Sequence, residues 1–250
     1  TDYLILRTSR PRRVPRLELK AGVPDDGRTL CVVSVLLSSE KSGAAAARLL
    51  EEYRLANRDA GSNLVFGILA DLPDAPDERA PYDADYLKSA ADELGRLNGK
   101  YGGGFFLFCR GRRRNERDAK FTAWERKRGA VLELCRYLRD NPSRLRCLAG
   151  DGEKLGRIKY VITLDSDTRL CAGTAKELVG AAMHPLNAPE IDPLKGIVAA
   201  GSGIIQPRIS VDLAAANQTL YTRIFAGQGG IDPYGGMTGD IYQNLFGTGS

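Results

Sequence analysis

Residues Ile158–Thr168 read IKYVITLDSDT, an apolar run that stops on two aspartates, Asp165 and Asp167, one residue apart. The run predicts a buried strand over Ile158–Leu164, because β-branched and aromatic side chains without polar alternation suit a strand covered on both faces. Three earlier runs have the same character: Thr29–Leu37 (TLCVVSVLL), Asn63–Ala70 (NLVFGILA), which leads into Asp71, and Gly104–Cys109 (GFFLFC). Between them lie segments of helical spacing or propensity at Gly43–Asn57, Asp83–Lys100 and Trp124–Arg139, and Gly173–Met183 follows the last strand. Strand alternating with helix predicts an α/β fold with a mainly parallel central sheet flanked by helices. Ligands of such sheets bind beyond the carboxyl ends of the strands. The acidic strand ends at Asp71 and Asp165 are therefore where chemistry is expected.

The chain has 250 residues, 43% of them hydrophobic and 27% charged, as in an ordinary soluble globular protein. No stretch approaches the roughly 18 uninterrupted apolar residues of a membrane span. Thr1–Leu6 is a short apolar scrap followed at once by arginine, which is not a signal peptide. The five cysteines are odd in number and widely spaced, no CxxC occurs, and His184 is the single histidine. A Cys/His zinc site is thereby not expected, a reducing cytosolic compartment fits, and any metal must be held by oxygens. His184, in AMHPLN, reads as a packed, hydrogen-bonded residue.

The net charge of +5 is unevenly spread. Basic residues crowd into Arg7–Arg16, Arg110–Arg117 and Arg126-Lys127-Arg128, and acidic ones into Asp71–Asp85. The first two basic runs read as solvated loops. Arg7–Arg16, broken by Pro11 and Pro15, also suits an arm lying near anionic lipid. No basic face interleaved with aromatics and no nucleic-acid module is found, so nucleic acid is not an expected partner. The glycine-rich tail Gly227–Ser250 reads as loop around Asp240–Phe246 and reaches Gly249–Ser250 without a terminating element, so the fold is expected to be truncated there.

Two carboxylates one residue apart on a turn repel each other unless a cation sits between them. Mg²⁺ or Mn²⁺ takes such oxygens together with those of a diphosphate, which makes Asp165 and Asp167 candidate metal ligands. Phosphatases that form an aspartyl-phosphate also carry DxD after a strand, but they need Thr or Val where this chain has Arg169, and they place the motif on the first strand. Asp71 is either a partner for a base or ribose or a turn cap ahead of Pro73. Trp124-Glu125-Arg126-Lys127-Arg128-Gly129 opens a helix, and a helix start with adjacent cations attracts phosphate; the alternative is a solvated charged face.

Strand–Asp, then a basic residue before glycine at a helix start, then DxD is the order seen in family 2-like transferases of the GT-A fold. Longer strings carry a closer likeness: PRRVPRLEL, WERKRGAVLELCRYL, YVITLDSDTRL, AMHPLN, GIIQPRIS, RIFAGQGGIDPY and DIYQNLFGTGS. From about Arg10 to the last residue the chain resembles the cyclic β-1,2-glucan synthases of glycosyltransferase family 84. The resemblance implies a Rossmann-like GT-A domain that transfers glucose from UDP-glucose to a growing β-1,2-glucan with inversion. It implies residues 1–28 as a basic juxtamembrane arm and 29–250 as an incomplete nucleotide-sugar-binding domain. Membrane-spanning segments and a phosphorylase-like domain would belong to the same parent chain, with this part at the cytoplasmic face of a bacterial inner membrane.

Carried over by the resemblance, Asp71 would contact uridine, Lys127 with Arg128 the diphosphate, and Asp165 and Asp167 the metal-bound donor. Gln206, Arg208, Gln228, Asp232 and Asp240 are acceptor-side candidates. The general base of the family matches no residue here and is expected beyond Ser250. The competing reading from another class is a non-catalytic α/β nucleotide-binding or scaffold domain whose acidic pair is only a turn.

Overall fold

The computed structural model describes residues 14–207. The chain divides into two compact units, Arg16–Met183 and a second made of Thr1–Pro15 with His184–Ser250.

The larger unit holds the sheet. Strands β1 (Thr29–Leu36), β2 (Leu64–Asp71), β3 (Phe105–Arg110), β6 (Leu145–Ala149) and β7 (Tyr160–Asp165) form five strands in the order β6-β3-β2-β1-β7. All neighbours are parallel except β6, which runs antiparallel to β3 with a bulge at Leu107/Phe108. The expected α/β architecture with a mainly parallel sheet is what forms, consistent with a Rossmann-like GT-A fold.

The continuous apolar runs are explained by the layers. Period-two alternation sends successive side chains to opposite faces. Cys31, Val33, Phe66, Ile68, Phe105 and Leu107 meet helices α1 (Glu40–Ala56), α2 (Asp83–Tyr101) and α4 (Thr174–Met183) through Leu50, Tyr53, Leu94 and Val179. Leu30, Val32, Val65, Leu69, Phe106 and Phe108 meet helix α3 (Arg126–Tyr137) through Ala130 and Leu134. With both faces covered, β2 and β3 are buried along their whole length. The two helices α1 and α2 touch at Gly43, where a Cβ would come within 2.8 Å of the Ala90 Cβ.

Element boundaries shift for local reasons. Helix α1 starts at Glu40, ahead of the expected Gly43, because Ser39 and Ser42 form a reciprocal capping box. Helix α2 ends at Tyr101 on the left-handed Gly102 (φ 72°). Helix α3 starts at Arg126, not Trp124, since Glu125 and Arg126 take left-handed φ values of 50° and 43°. The hairpin of β4 (Arg113–Asn115) with β5 (Lys120–Thr122) and the strand β6 were not expected. In β6 an exposed Arg146 and Leu148 alternate with more covered residues, a pattern too short to separate from a loop.

One expectation is corrected. Strand β7 was read as buried, but among the described residues it is the sheet edge, and none of its residues is fully buried. Among the described residues only β1 pairs with it, whereas β1, β2 and β3 each have a strand on both sides.

The described part of the smaller unit contains the 3₁₀ turn Pro185–Asn187 and a hairpin of β8 (Glu190–Asp192) with β9 (Ile197–Ala200). His184 caps that turn, its Nδ1 accepting from the Leu186 N–H at 3.2 Å, which is the hydrogen-bonded role expected of it. No described helix is long and apolar enough to cross a membrane.

Candidate functional site

Parallel pairing brings the acidic strand ends to one edge. Asp71 is in register with Leu36 of β1, and Asp165 with Ser34 of the same strand, so the two carboxylates flank the carboxyl end of β1 on opposite sides. Two strand spacings across the sheet and a two-residue offset along β1 put their Cα atoms roughly 12 Å apart. The Ser34 hydroxyl oxygen between them is buried without a hydrogen-bond partner among the described residues.

Asp71 is 8% exposed and is neither a turn cap nor a free carboxylate. Its two oxygens accept from Arg110 Nε at 2.6 Å and Nη2 at 2.9 Å, a bidentate pair between the ends of adjacent strands. The reading of Arg110–Arg117 as a solvated loop is therefore corrected at two positions. Arg110 is 4% exposed. Arg112 is equally enclosed: its guanidinium holds the Asp83 carboxylate at 2.6 and 2.7 Å and donates to the carbonyls of Pro73 and Glu78. A guanidinium enters the interior only with a matching carboxylate and carbonyls, and both arginines have them. Burial alone would raise the Asp83 carboxyl, but the Arg112 fork and the Ala80 N–H hold it below its ordinary value.

Arg110 also donates to the carbonyls of Trp124 (2.7 Å) and Arg126 (2.6 Å), which tethers the start of α3 to the end of β2. From that start Lys127 extends to Asp165, with Nζ 2.6 Å from Oδ1. This pair is half exposed, 42% and 56% at the two side chains. The neighbouring cations go elsewhere: Arg126 pairs with Asp74 and Arg128 with Glu125, both at the surface. Of the three basic residues in the motif, Lys127 is the one whose side chain lies against the DxD turn.

The turn itself is anchored from α1. The Thr168 N–H donates to the Asp165 carbonyl at 3.1 Å, the Tyr53 hydroxyl donates to the Thr168 carbonyl, and Arg169 pairs with Glu52. Tyr53 is 1% exposed, and burial first, then the nearby Cys31, Glu52 and Asp167, hold its phenol protonated well above the ordinary range. Asp165, Ser166 and Asp167 stay exposed. Sequence reasoning missed Tyr53, Arg110 and Arg112. For Arg110 a signal existed, since a charge directly after the buried run FFLFC must find a partner.

Among the described residues no group of three or more His, Cys, Asp or Glu side chains is placed to hold a metal. Asp165 and Asp167 supply only oxygens, a donor set suited to a hard cation that completes its shell from ligand and water. Burial pushes the Cys31 and Cys109 thiols up to about 12, so neither offers a thiolate. Gln206 is exposed in the smaller unit, and Arg208, Gln228, Asp232 and Asp240 lie outside the described residues.

No protein-family model matches the chain. Comparison with known proteins finds the Cyclic beta-(1,2)-glucan synthase NdvB of Rhizobium meliloti (strain 1021), 36% identical over 247 residues. The match takes in 97% of this chain and 9% of that protein. The resemblance read from the motifs is borne out: over nearly its whole length this chain is similar to one short segment of a cyclic beta-(1,2)-glucan synthase.

Proposed function

We propose that this chain is the donor-binding part of a glycosyltransferase that moves glucose from UDP-glucose to a growing β-1,2-glucan, with inversion and with Mg²⁺ or Mn²⁺ bound. One observation carries the reading: two acidic strand ends flank β1, and the start of α3 is tied to both, by Arg110 of β3, which bonds Asp71 and the Trp124 and Arg126 carbonyls, and by Lys127, which bonds Asp165. The similarity to a glucan synthase segment supports it.

In this reading Asp165 and Asp167 would hold the cation, which supplies positive charge against the diphosphate. The Lys127 ammonium, now on Asp165, would turn to a phosphate oxygen. Asp71 has two of its roughly four lone-pair sites on Arg110, which leaves acceptor capacity for uridine. An acceptor hydroxyl oxygen would attack the anomeric carbon, the bond to the UDP oxygen would break with its electron pair leaving on UDP, and a general base would take the hydroxyl proton. The acceptor, the membrane-spanning segments and the phosphorylase-like domain of a parent chain at the inner membrane are part of the same proposal.

Calorimetry with UDP, with and without Mn²⁺, tests it. The expected result is metal-dependent heat that Asp165→Asn and Asp167→Asn each abolish while circular dichroism stays unchanged. Unaltered UDP affinity in both variants would remove the metal assignment. Absence of any metal-dependent heat in the unmodified chain would favour a scaffold domain.

A further inference from the structure

We infer that Arg110 is a positioning residue of this site: its guanidinium fixes the backbone turn that selects Lys127, out of three consecutive basic residues, to face Asp165. The inference rests on the donor-binding reading for its functional meaning, but its geometry stands by itself. Glu125 and Arg126 sit at φ 50° and 43°, a region that costs side-chain-bearing residues energy. Such a turn persists only where its surroundings over-determine it. Here Arg110 donates to the carbonyls of Trp124 and Arg126, the residues bracketing Glu125, while Nε and Nη2 remain on the Asp71 carboxylate.

The same cradle explains the glycine of the motif. A Cβ on Gly129 would lie 2.1 Å from the Trp124 carbonyl oxygen and 2.6 Å from Arg110 Nη1. The Gly129 N–H meanwhile donates to the Glu125 carbonyl at 3.2 Å. The turn is thus pinned from β3 and from the next turn of its own helix. Its direction sends Arg126 to Asp74, Arg128 to Glu125 and Lys127 to Asp165. Arg126 carries the left-handed φ itself, so the turn sets where the chain enters α3 immediately before Lys127. Lysine cannot replace Arg110, since one ammonium with three donors on a flexible stem cannot span a carboxylate and two carbonyls in one plane.

The test is Arg110→Lys, which keeps the charge beside Asp71. In the ligand-free chain, hydrogen exchange of the amides in residues 124–129 should quicken at least tenfold, while the α2 amides of residues 90–97 keep their rates. A uniform rise over both segments would mean lost general stability and would overturn the inference. A double-mutant cycle reads the functional side. Lys127→Ala should weaken UDP binding in Mn²⁺ tenfold or more in the parent chain and less than twofold in the Arg110→Lys background. An equal penalty in both backgrounds would also overturn it. If Lys127→Ala has no effect in the parent chain, the diphosphate role of Lys127 fails, and the exchange rates decide the positioning role alone.

Discussion

Two strand ends of the same chemistry meet opposite fates in this sheet. Asp71 ends a strand buried along its whole length, and the protein supplies its counter-charge: a bidentate arginine that is itself enclosed. Asp165 ends the edge strand, is more than half exposed, and holds only a half-exposed lysine. The difference is one of solvent. A carboxylate in the interior must be paired within the protein, because leaving it unpaired costs several kcal/mol. A carboxylate in water is already solvated, and its lysine pair contributes little. The first end thereby has a fixed, enclosed partner, and the second a solvent-exposed one.

The largest expected effect would break that contrast if it were false. Asp71→Asn should cost about 3–5 kcal/mol in urea unfolding, since it strands a buried guanidinium. Asp165→Asn should cost at most about 1 kcal/mol, the range of an exposed pair. Similar losses at the two sites would show that burial does not separate them.

Next comes ligand affinity. Lys127→Ala should weaken UDP-glucose binding by about 1.5–3 kcal/mol, the worth of a hydrogen bond to a charged group, and leave uridine binding unchanged. Isothermal titration with both ligands checks it, and equal losses would point to damage at the start of α3.

A smaller loss is expected where the exposed turn is tied to the core. Tyr53→Phe removes one hydroxyl from the Thr168 carbonyl and should cost about 1 kcal/mol of stability by thermal melting. A larger loss of metal-dependent UDP affinity than of stability would sharpen the view that α1 sets the DxD turn. A change in neither would sever the link.

The smallest effect is a pH dependence at the Arg112–Asp83 pair. The folded Asp83 carboxyl lies below its ordinary value of 3.8, so its contribution to stability is present above that value. The contribution is lost as pH falls through the depressed folded value. Urea midpoints measured from neutral to acid pH should therefore fall less steeply in Asp83→Asn than in the unaltered chain. Parallel curves would contradict the Arg112–Asp83 contact as the cause.

The sequence by itself determined the strand runs at Thr29, Asn63 and Gly104, the helices between them, and the acidic residues at two strand ends. Those signals are local: an unbroken apolar run reports burial on two faces, and carboxylates at a strand end lie where α/β sheets bind ligands. Only the tertiary structure decided what the arginines do. Arg110 and Arg112 stand in one basic run with Arg113 and Arg114, and apart from the place of Arg110 directly after FFLFC nothing in the sequence separates them. The partners that bury the first pair, Asp71 and Asp83, lie 39 and 29 residues away. Strand β7 as an edge, the left-handed turn at Glu125 and the reach of Lys127 to Asp165 share that character. Each depends on which elements the fold brings side by side, and side-chain pairing over such separations leaves no period in the chain to read.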